Sequence, residues 1–334
     1  MAYDVGIDLG TSNTLIYVKG KGLVIDEPSV VAVSEKNGKI LAVGSAARDM
    51  LGRTPESIAA VTPIKEGVIA NFDATVAMLK HFIKKSTKGS LLKPRAVVSI
   101  PSKITEVEKR AVREATLAAG AKEVYLIEES MAAAIGAGIS VNDPHGAMIV
   151  DIGGGTTEIA VISLGGIVTS NSLNIAGNAF DNEIAQYLKK TYNLSIGLIS
   201  AEEIKRKVAS ACPLKEEIES EVKGRDVVTG LPKTAKIDSK EIRLALAECM
   251  EQIIDGIKSV LEKTPPELAA DIFDSGIVLT GGGAMLKGLG KLISINTGIP
   301  IYIAENPTEC VAIGTGKTLD ELRSLRTLFI EPEM

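Results

Sequence analysis

Strand and helix signals alternate through both halves of this 334-residue chain, which predicts an α/β protein of two related lobes, each on a central mixed, mostly parallel sheet. Three observations carry that prediction. Apolar runs such as Ala96-Val97-Val98-Ser99-Ile100, Gly146-Ala147-Met148-Ile149-Val150 and Gly276-Ile277-Val278-Leu279-Thr280 have the composition of buried strands. Segments with helical spacing of apolar residues lie between them. A motif near the N-terminus also recurs near the middle of the chain.

The recurring motif is Val5-Gly6-Ile7-Asp8-Leu9-Gly10-Thr11-Ser12-Asn13-Thr14, echoed by Ile149-Val150-Asp151-Ile152-Gly153-Gly154-Gly155-Thr156-Thr157-Glu158. Each copy is an apolar strand ending in Asp, a turn of glycine and hydroxyl residues, and a second strand, so each reads as a β-hairpin. The repeat places the boundary just before Gly146, giving lobes 1–145 and 146–334 with small insertions around 28–70 and 180–240.

Taken in order, residues 28–43 carry short β-rich runs, and Asp73 to Lys85 reads as a helix with Val76, Leu79, Phe82 and Ile83 on one side. Arg95 to Ile100 is a strand closed by Pro101. A helix from Thr105 to Ala119 begins with a capping box, Glu108 standing three residues after Thr105. A strand at 124–127 leads into an Ala-rich helix at 130–137. In the second half, strand 167–174, helices 178–191 and 200–211 and the β-biased stretch 216–236 precede one long helix, Ser239 to Lys263, stopped by Pro265-Pro266. The strand Gly276 to Thr280 then meets Gly281-Gly282-Gly283 and a helix, and a strand at 300–303 and a helix from Thr308 close the order.

Composition limits the function. Apolar residues make up 45% and charged residues 24%, the balance of a folded globular chain, while aromatics at 3% require an aliphatic core. A net charge of −5 argues against a general nucleic-acid binder, so no nucleic-acid partner is expected. Cys212, Cys249 and Cys310 are scattered, without metal-ligand spacing, and neither His81 nor His145 lies close to them in sequence, so they read as reduced, packed thiols. Met1 leads straight into strand-like residues and no apolar run approaches bilayer length; the expectation is an intracellular chain without an export signal or membrane span.

Phosphate oxygens need several donors at short range, and backbone N–H groups supply them where side chains do not block approach. Gly10-Thr11-Ser12-Asn13 and Gly153-Gly154-Gly155-Thr156 both have that character. Either turn alone reads equally well as a tight hairpin. The pair, each preceded by an aspartate at a strand end, reads as a two-jawed phosphate clamp. Asp8 and Asp151 then face each other across a cleft, suited to a magnesium ion that keeps most of its waters. The third turn, Leu279-Thr280-Gly281-Gly282-Gly283-Ala284-Met285, matches neither a P-loop nor a dinucleotide fingerprint, and its glycines would let a flat base or ribose lie against the backbone.

Together these turns resemble the superfamily of actin, sugar kinases and heat-shock chaperones, and within it the bacterial actin family of MreB and Mbl. The resemblance runs from Gly6-Ile7-Asp8-Leu9-Gly10-Thr11 to Ala312-Ile313-Gly314-Thr315-Gly316. Its most specific stretches include Val150 to Thr157, Lys223-Gly224-Arg225-Asp226, Leu231-Pro232 and Ala304-Glu305-Asn306-Pro307. It implies an actin-like fold with ATP and Mg2+ in the cleft, in a cytoskeletal ATPase that polymerises as paired antiparallel protofilaments. It also implies a cytoplasmic location at the inner face of the cell membrane, and cell-wall synthesis and membrane-anchoring proteins as partners in setting rod shape.

By position, the resemblance assigns Gly10, Thr11, Ser12, Asn13, Gly153, Gly154, Gly155 and Thr156 to the phosphates, and Asp8 and Asp151 to magnesium, mainly through water. Glu202 and Lys205 are assigned to the ribose and adenine side, with Gly281, Gly282, Gly283 and Met285 beneath the base. From spacing alone, Glu202 and Lys205 read as an exposed ion pair on one helix. Glu129 is the implied group that orients or deprotonates the attacking water, helped by Thr156. Here the chain departs from the family, with Ser130 where Pro is usual after this glutamate, which puts the rate of hydrolysis in doubt. Leu91 and Leu92, among Lys84, Lys85, Lys88, Lys93 and Arg95, resemble a membrane loop suited to an anionic surface, or equally pack beneath the next strand. Val107 is the implied centre of the contact between protofilaments. The rival readings are a small-molecule kinase of the same superfamily and a filament protein that binds ATP but barely hydrolyses it.

Overall fold

A computed structural model describes residues 3–90, 92–319 and 329. Both copies of the motif form antiparallel hairpins, Val5–Leu9 with Asn13–Val18 and Ala147–Ile152 with Thr157–Ser163. Each hairpin sits inside a five-stranded sheet. In the first, Val5–Leu9 lies parallel to Arg95–Ile100 and that strand parallel to Glu123–Glu128, while Gly22–Pro28 continues antiparallel beyond Asn13–Val18. In the second, Ala147–Ile152 lies parallel to Ile277–Thr280 and that strand parallel to Ile301–Ile303, while Gly166–Leu173 continues antiparallel beyond Thr157–Ser163. The two sheets share one strand order and one set of directions, as a duplication requires. Each holds two parallel and two antiparallel pairs, so the expected parallel majority is corrected to an even mixture. The reason is that two hairpins follow one another at the start of each repeat, and hairpins are antiparallel by construction.

Helices cover the sheets. Phe72–Ser86 starts at Asn71, whose side chain accepts from Ala74 N, and Glu106–Ala118 starts with the capping box read from Thr105 and Glu108. Met78, Leu79, Phe82, Val112 and Ala115 from these helices share the first core with Ile7, Ile16 and Val98. Ile184, Leu188, Ile253 and Ile257 share the second with Val150, Ile159 and Leu279. A third core lies where the sheets meet and contains Val97 and Ile127 from one, Ile149 and Ala160 from the other, and Met131 to Ala134 and Val311 between them. There the helices Glu129–Gly136 and Cys310–Thr318 cross at backbone contact. A methyl group added at Gly136 would lie 1.8 Å from the Cys310 carbonyl oxygen, and one at Gly314 would lie 1.8 Å from that of Ala132. Cys310–Thr318 also reaches the first sheet, since a methyl at Gly6 would lie 2.6 Å from Gly316 N.

Small three-stranded sheets form from Val31–Ser34, Ile40–Val43 and Ile58–Val61, and from Leu194–Ser195, Glu219–Asp226 and Pro232–Asp238. Three elements differ from the sequence reading. The long helix is two, Ser239–Ala245 and Ala247–Lys263, meeting at the buried Leu246, which keeps Ile242 and Met250 in one core. Pro265-Pro266 does not only stop a helix; Pro266 begins another, Pro266–Ser275, because the first N–H groups of a helix need no intrahelical partner. The third glycine turn enters a short 3₁₀ turn, Gly282–Met285, before the helix Leu289–Thr297.

Candidate functional site

The strand order brings the two motif turns face to face. A methyl group at Gly154 would lie 2.0 Å from Ser12 Oγ and 3.2 Å from Ser12 N, and one at Gly155 would lie 2.4 Å from Thr11 Oγ1. Glycine is therefore required at these two positions by the opposite jaw itself. The first turn of the helix Gly177–Tyr192 abuts the second jaw, with Gly177 N donating to Gly153 O at 3.1 Å and Asn178 N to Gly154 O at 2.8 Å. Ser12 Oγ donates across the cleft to Asn178 Oδ1 at 3.2 Å. Thr11 Oγ1 accepts from Gly67 N at 3.0 Å, so the small Ile64–Ile69 hairpin closes over the jaws. Asn13 turns away, its amide donating to Asp26 on the adjacent strand. Its side chain thus serves its own sheet.

Asp8 and Asp151 occupy equivalent places on the two central strands. Ser99 Oγ donates to Asp8 Oδ1 at 3.3 Å, and Thr280 Oγ1 donates to Asp151 Oδ1 at 2.7 Å. Burial, and then the charge of Asp151, push the Asp8 carboxyl far above the usual carboxylate range. Burial pushes Asp151 up as well, opposed by the Thr280 hydrogen bond. Glu129, the first residue of Glu129–Gly136, is raised by burial and by the charges of Asp151, Asp8 and Glu158. Glu158 is raised mainly by burial. Asp151, which is buried, and Asp8 and Glu129, which are half-buried, thus compete for protons, and a cation would relieve them. Among the described residues no three His, Cys, Asp or Glu side chains converge as a metal cage. Asp8 and Asp151 offer one carboxylate from each motif copy, a donor pair with the chemistry that a largely hydrated cation accepts.

The remaining sequence candidates divide. Thr156 is 5% exposed and lines a cleft of about 450 Å³ with Glu66, Pro101, Lys103, Ser172 and Asn174. Gly281, with φ +77°, and Gly283 press on Ile152, where added methyls would come within 2.3 Å and 2.2 Å of its atoms. Those two glycines are packing positions beside Asp151. Gly282 is exposed, a methyl there meeting only Thr308 Cγ2 at 3.9 Å, and Met285 is exposed, so these two of that turn present a free surface. Glu202 and Lys205 do not pair with each other, which corrects the expected ion pair. Glu202 bridges to Arg48 on the short helix Ser45–Arg48 and to Arg206, whereas Lys205 Nζ donates to Gly177 O at 2.8 Å and Asp181 Oδ2 at 2.9 Å. Lys205 is drawn to the second jaw, and Glu202 spans the cleft mouth.

Sequence reading missed Gly177, Asn178, Ser99, Thr280, Arg48 and Glu158. Gly177 and Asn178 carried a signal, the start of a helix after a strand end; the others are ordinary residues until the fold brings them together. Ser130 is wholly buried with its hydroxyl unpartnered. Val107 is 78% and Leu92 61% exposed, and Leu91 lies outside the described residues. All three cysteines are free and buried. No helix among the described residues is long and apolar enough to cross a membrane.

The family model described as MreB/Mbl protein matches residues 2–327. The cell shape-determining protein Mbl of Bacillus subtilis (strain 168) is 54% identical over 325 residues, covering 97% of this chain and 98% of that protein. The cell shape-determining protein MreB of Escherichia coli (strain K12) is 51% identical over 323 residues, covering 95% and 93%. Among solved structures, MreB5 of Spiroplasma citri bound to AMPPNP superposes with a TM-score of 0.91 at 41% identity, covering 96% of this chain and 98% of that one.

Proposed function

The chain belongs to the MreB/Mbl family, and on that premise we propose that it is an ATP-binding cytoskeletal protein that polymerises into filaments and contributes to cell shape, hydrolysing ATP slowly. The observation that carries this reading is the contact of Thr11 and Ser12 with Gly155 and Gly154 above the buried Asp151 and the half-buried Asp8. Backbone N–H groups of both turns would hold the phosphates. Magnesium, when bound, would supply positive charge to the phosphates, and Asp8 and Asp151 would hold it mainly through its waters. Lys205 would steady Gly177 and the second jaw, Glu202 would reach the ribose and adenine side, and Gly282 and Met285 would cover the base.

For hydrolysis, Glu129 would accept a proton from the attacking water and Thr156 would fix that water in line with the leaving group. Glu129 belongs to the first lobe and Thr156 to the second, taking residues 1–145 and 146–334 as the lobes, with Cys310–Thr318 crossing back onto the first. Lobe closure would then set the distance between the two groups. Exposed Val107 suits a contact between protofilaments, and exposed Leu92 suits an anionic membrane surface at the inner face of the cell membrane.

Sedimentation tests this reading. With Mg-ATP the chain is expected to pellet in a concentration-dependent manner, and vesicles containing anionic lipid should increase the pelleted fraction. A chain that binds ATP yet stays in the supernatant under all these conditions would overturn the filament assignment.

A further inference from the structure

Glu158 lies on Thr157–Ser163, directly opposite Asp151 in the sheet register, and is 1% exposed. Its two carboxylate oxygens have different partners. Oε1 accepts from Ser172 Oγ at 2.5 Å, on the neighbouring strand of the same sheet. Oε2 accepts from the backbone N–H of Ser102 at 3.1 Å, in the segment that leaves the first sheet after Arg95–Ile100. That segment also carries Pro101, against which the Gly67 tip of the closing hairpin packs, and Lys103, whose Nζ donates to Asn171 Oδ1 at 2.6 Å. One buried side chain therefore ties the second sheet to the strand that holds Ser99 against Asp8.

We propose that Glu158 is a positioning residue for ATP hydrolysis: its hydrogen bond to Ser102 N holds the two lobes at the angle that brings Glu129 and Thr156 to the same water. The inference rests on the hydrolytic roles proposed above. It gives Glu158 no contact with the reacting atoms, and it does not require the carboxylate charge. What matters is reach and an acceptor. A glutamine satisfies both contacts, its Oε1 accepting from Ser102 N and its Nε2 donating to Ser172 Oγ. An aspartate keeps the charge but is one carbon–carbon bond shorter, about 1.5 Å, and cannot span both partners. Geometry and charge therefore predict opposite orders for the two variants.

The test is single-turnover phosphate release from Mg-ATP by the full chain, with ATP affinity and thermal melting measured alongside. Glu158→Asp is expected to slow release at least tenfold with ATP affinity changed less than threefold. Glu158→Gln is expected to stay within threefold of wild type in both. A slow Gln variant, or an Asp variant at the wild-type rate, overturns the proposal, and a slow Gln variant does so even if the Asp variant does not fold. A wild-type chain that binds Mg-ATP but releases no phosphate removes the hydrolytic reading and this inference with it. Normal wild-type release with an unaffected Asp variant removes only this one.

Discussion

Replacing Glu129 with glutamine is expected to slow phosphate release from ATP at least a hundredfold, about 2.7 kcal/mol of transition-state stabilisation, while ATP-dependent sedimentation persists. Burial, then the charges of Asp151 and Asp8, and least that of Glu158, raise the proton affinity of Glu129. A carboxylate in that setting takes a proton from water more readily than an exposed one, and a positioned base is worth roughly 10²–10⁴ in rate. Glutamine keeps the size and can still orient the water, but it cannot accept the proton. On the proposed reading filament formation needs nucleotide bound between the lobes, and glutamine leaves that binding in place. Phosphate release at the wild-type rate would remove Glu129 from the mechanism.

Gly314→Ala is expected to destabilise the fold by at least about 3 kcal/mol, because overpacked, rigid contacts leave no cheap relaxation. The added methyl would stand 1.8 Å from the Ala132 carbonyl oxygen and 2.6 Å from its carbon, both backbone atoms inside a helix. Relief requires separating Glu129–Gly136 from Cys310–Thr318, and the packing of the third core around Met131 and Val311 would open with it. Gly166→Ala is the matched control. Nothing lies nearer than 3.8 Å to a methyl there, and the change should fall within about 0.5 kcal/mol. Denaturant unfolding of the two variants checks both values, and equal midpoints would show that the crossing tolerates separation.

These two sites mark how far the sequence was readable. The repeat around Asp8 and Asp151 was visible because both copies keep strand, aspartate and glycine turn in the same order, and the two sheets do share one topology. The capping box at Thr105 was visible because its partners are three residues apart. Contacts that join the lobes left no such trace. Ser102 and Glu158 are 56 residues apart, and Arg48 and Glu202 are 154 apart, so neither pair has a local pattern. Composition also cannot separate a glycine that admits a ligand from one that admits a neighbouring backbone. Gly282 and Gly283 are adjacent and identical in type, yet a methyl on the first would meet nothing nearer than 3.9 Å and one on the second would press on Ile152. Proline misled in the same way at Pro266, since the residue that ends one helix is also well suited to begin the next.

The central claim is that the paired turns and aspartates bind ATP together with magnesium. Equilibrium titration of ATP into wild type and Asp151→Ala, with Mg2+ and with chelator, tests it most directly. Mg2+ is expected to strengthen ATP binding to the wild type at least tenfold, and Asp151→Ala to lose most of this gain while keeping its weaker, metal-free affinity. Wild-type affinity that is the same with Mg2+ and with chelator, or an Asp151→Ala variant that keeps the full gain, would contradict it.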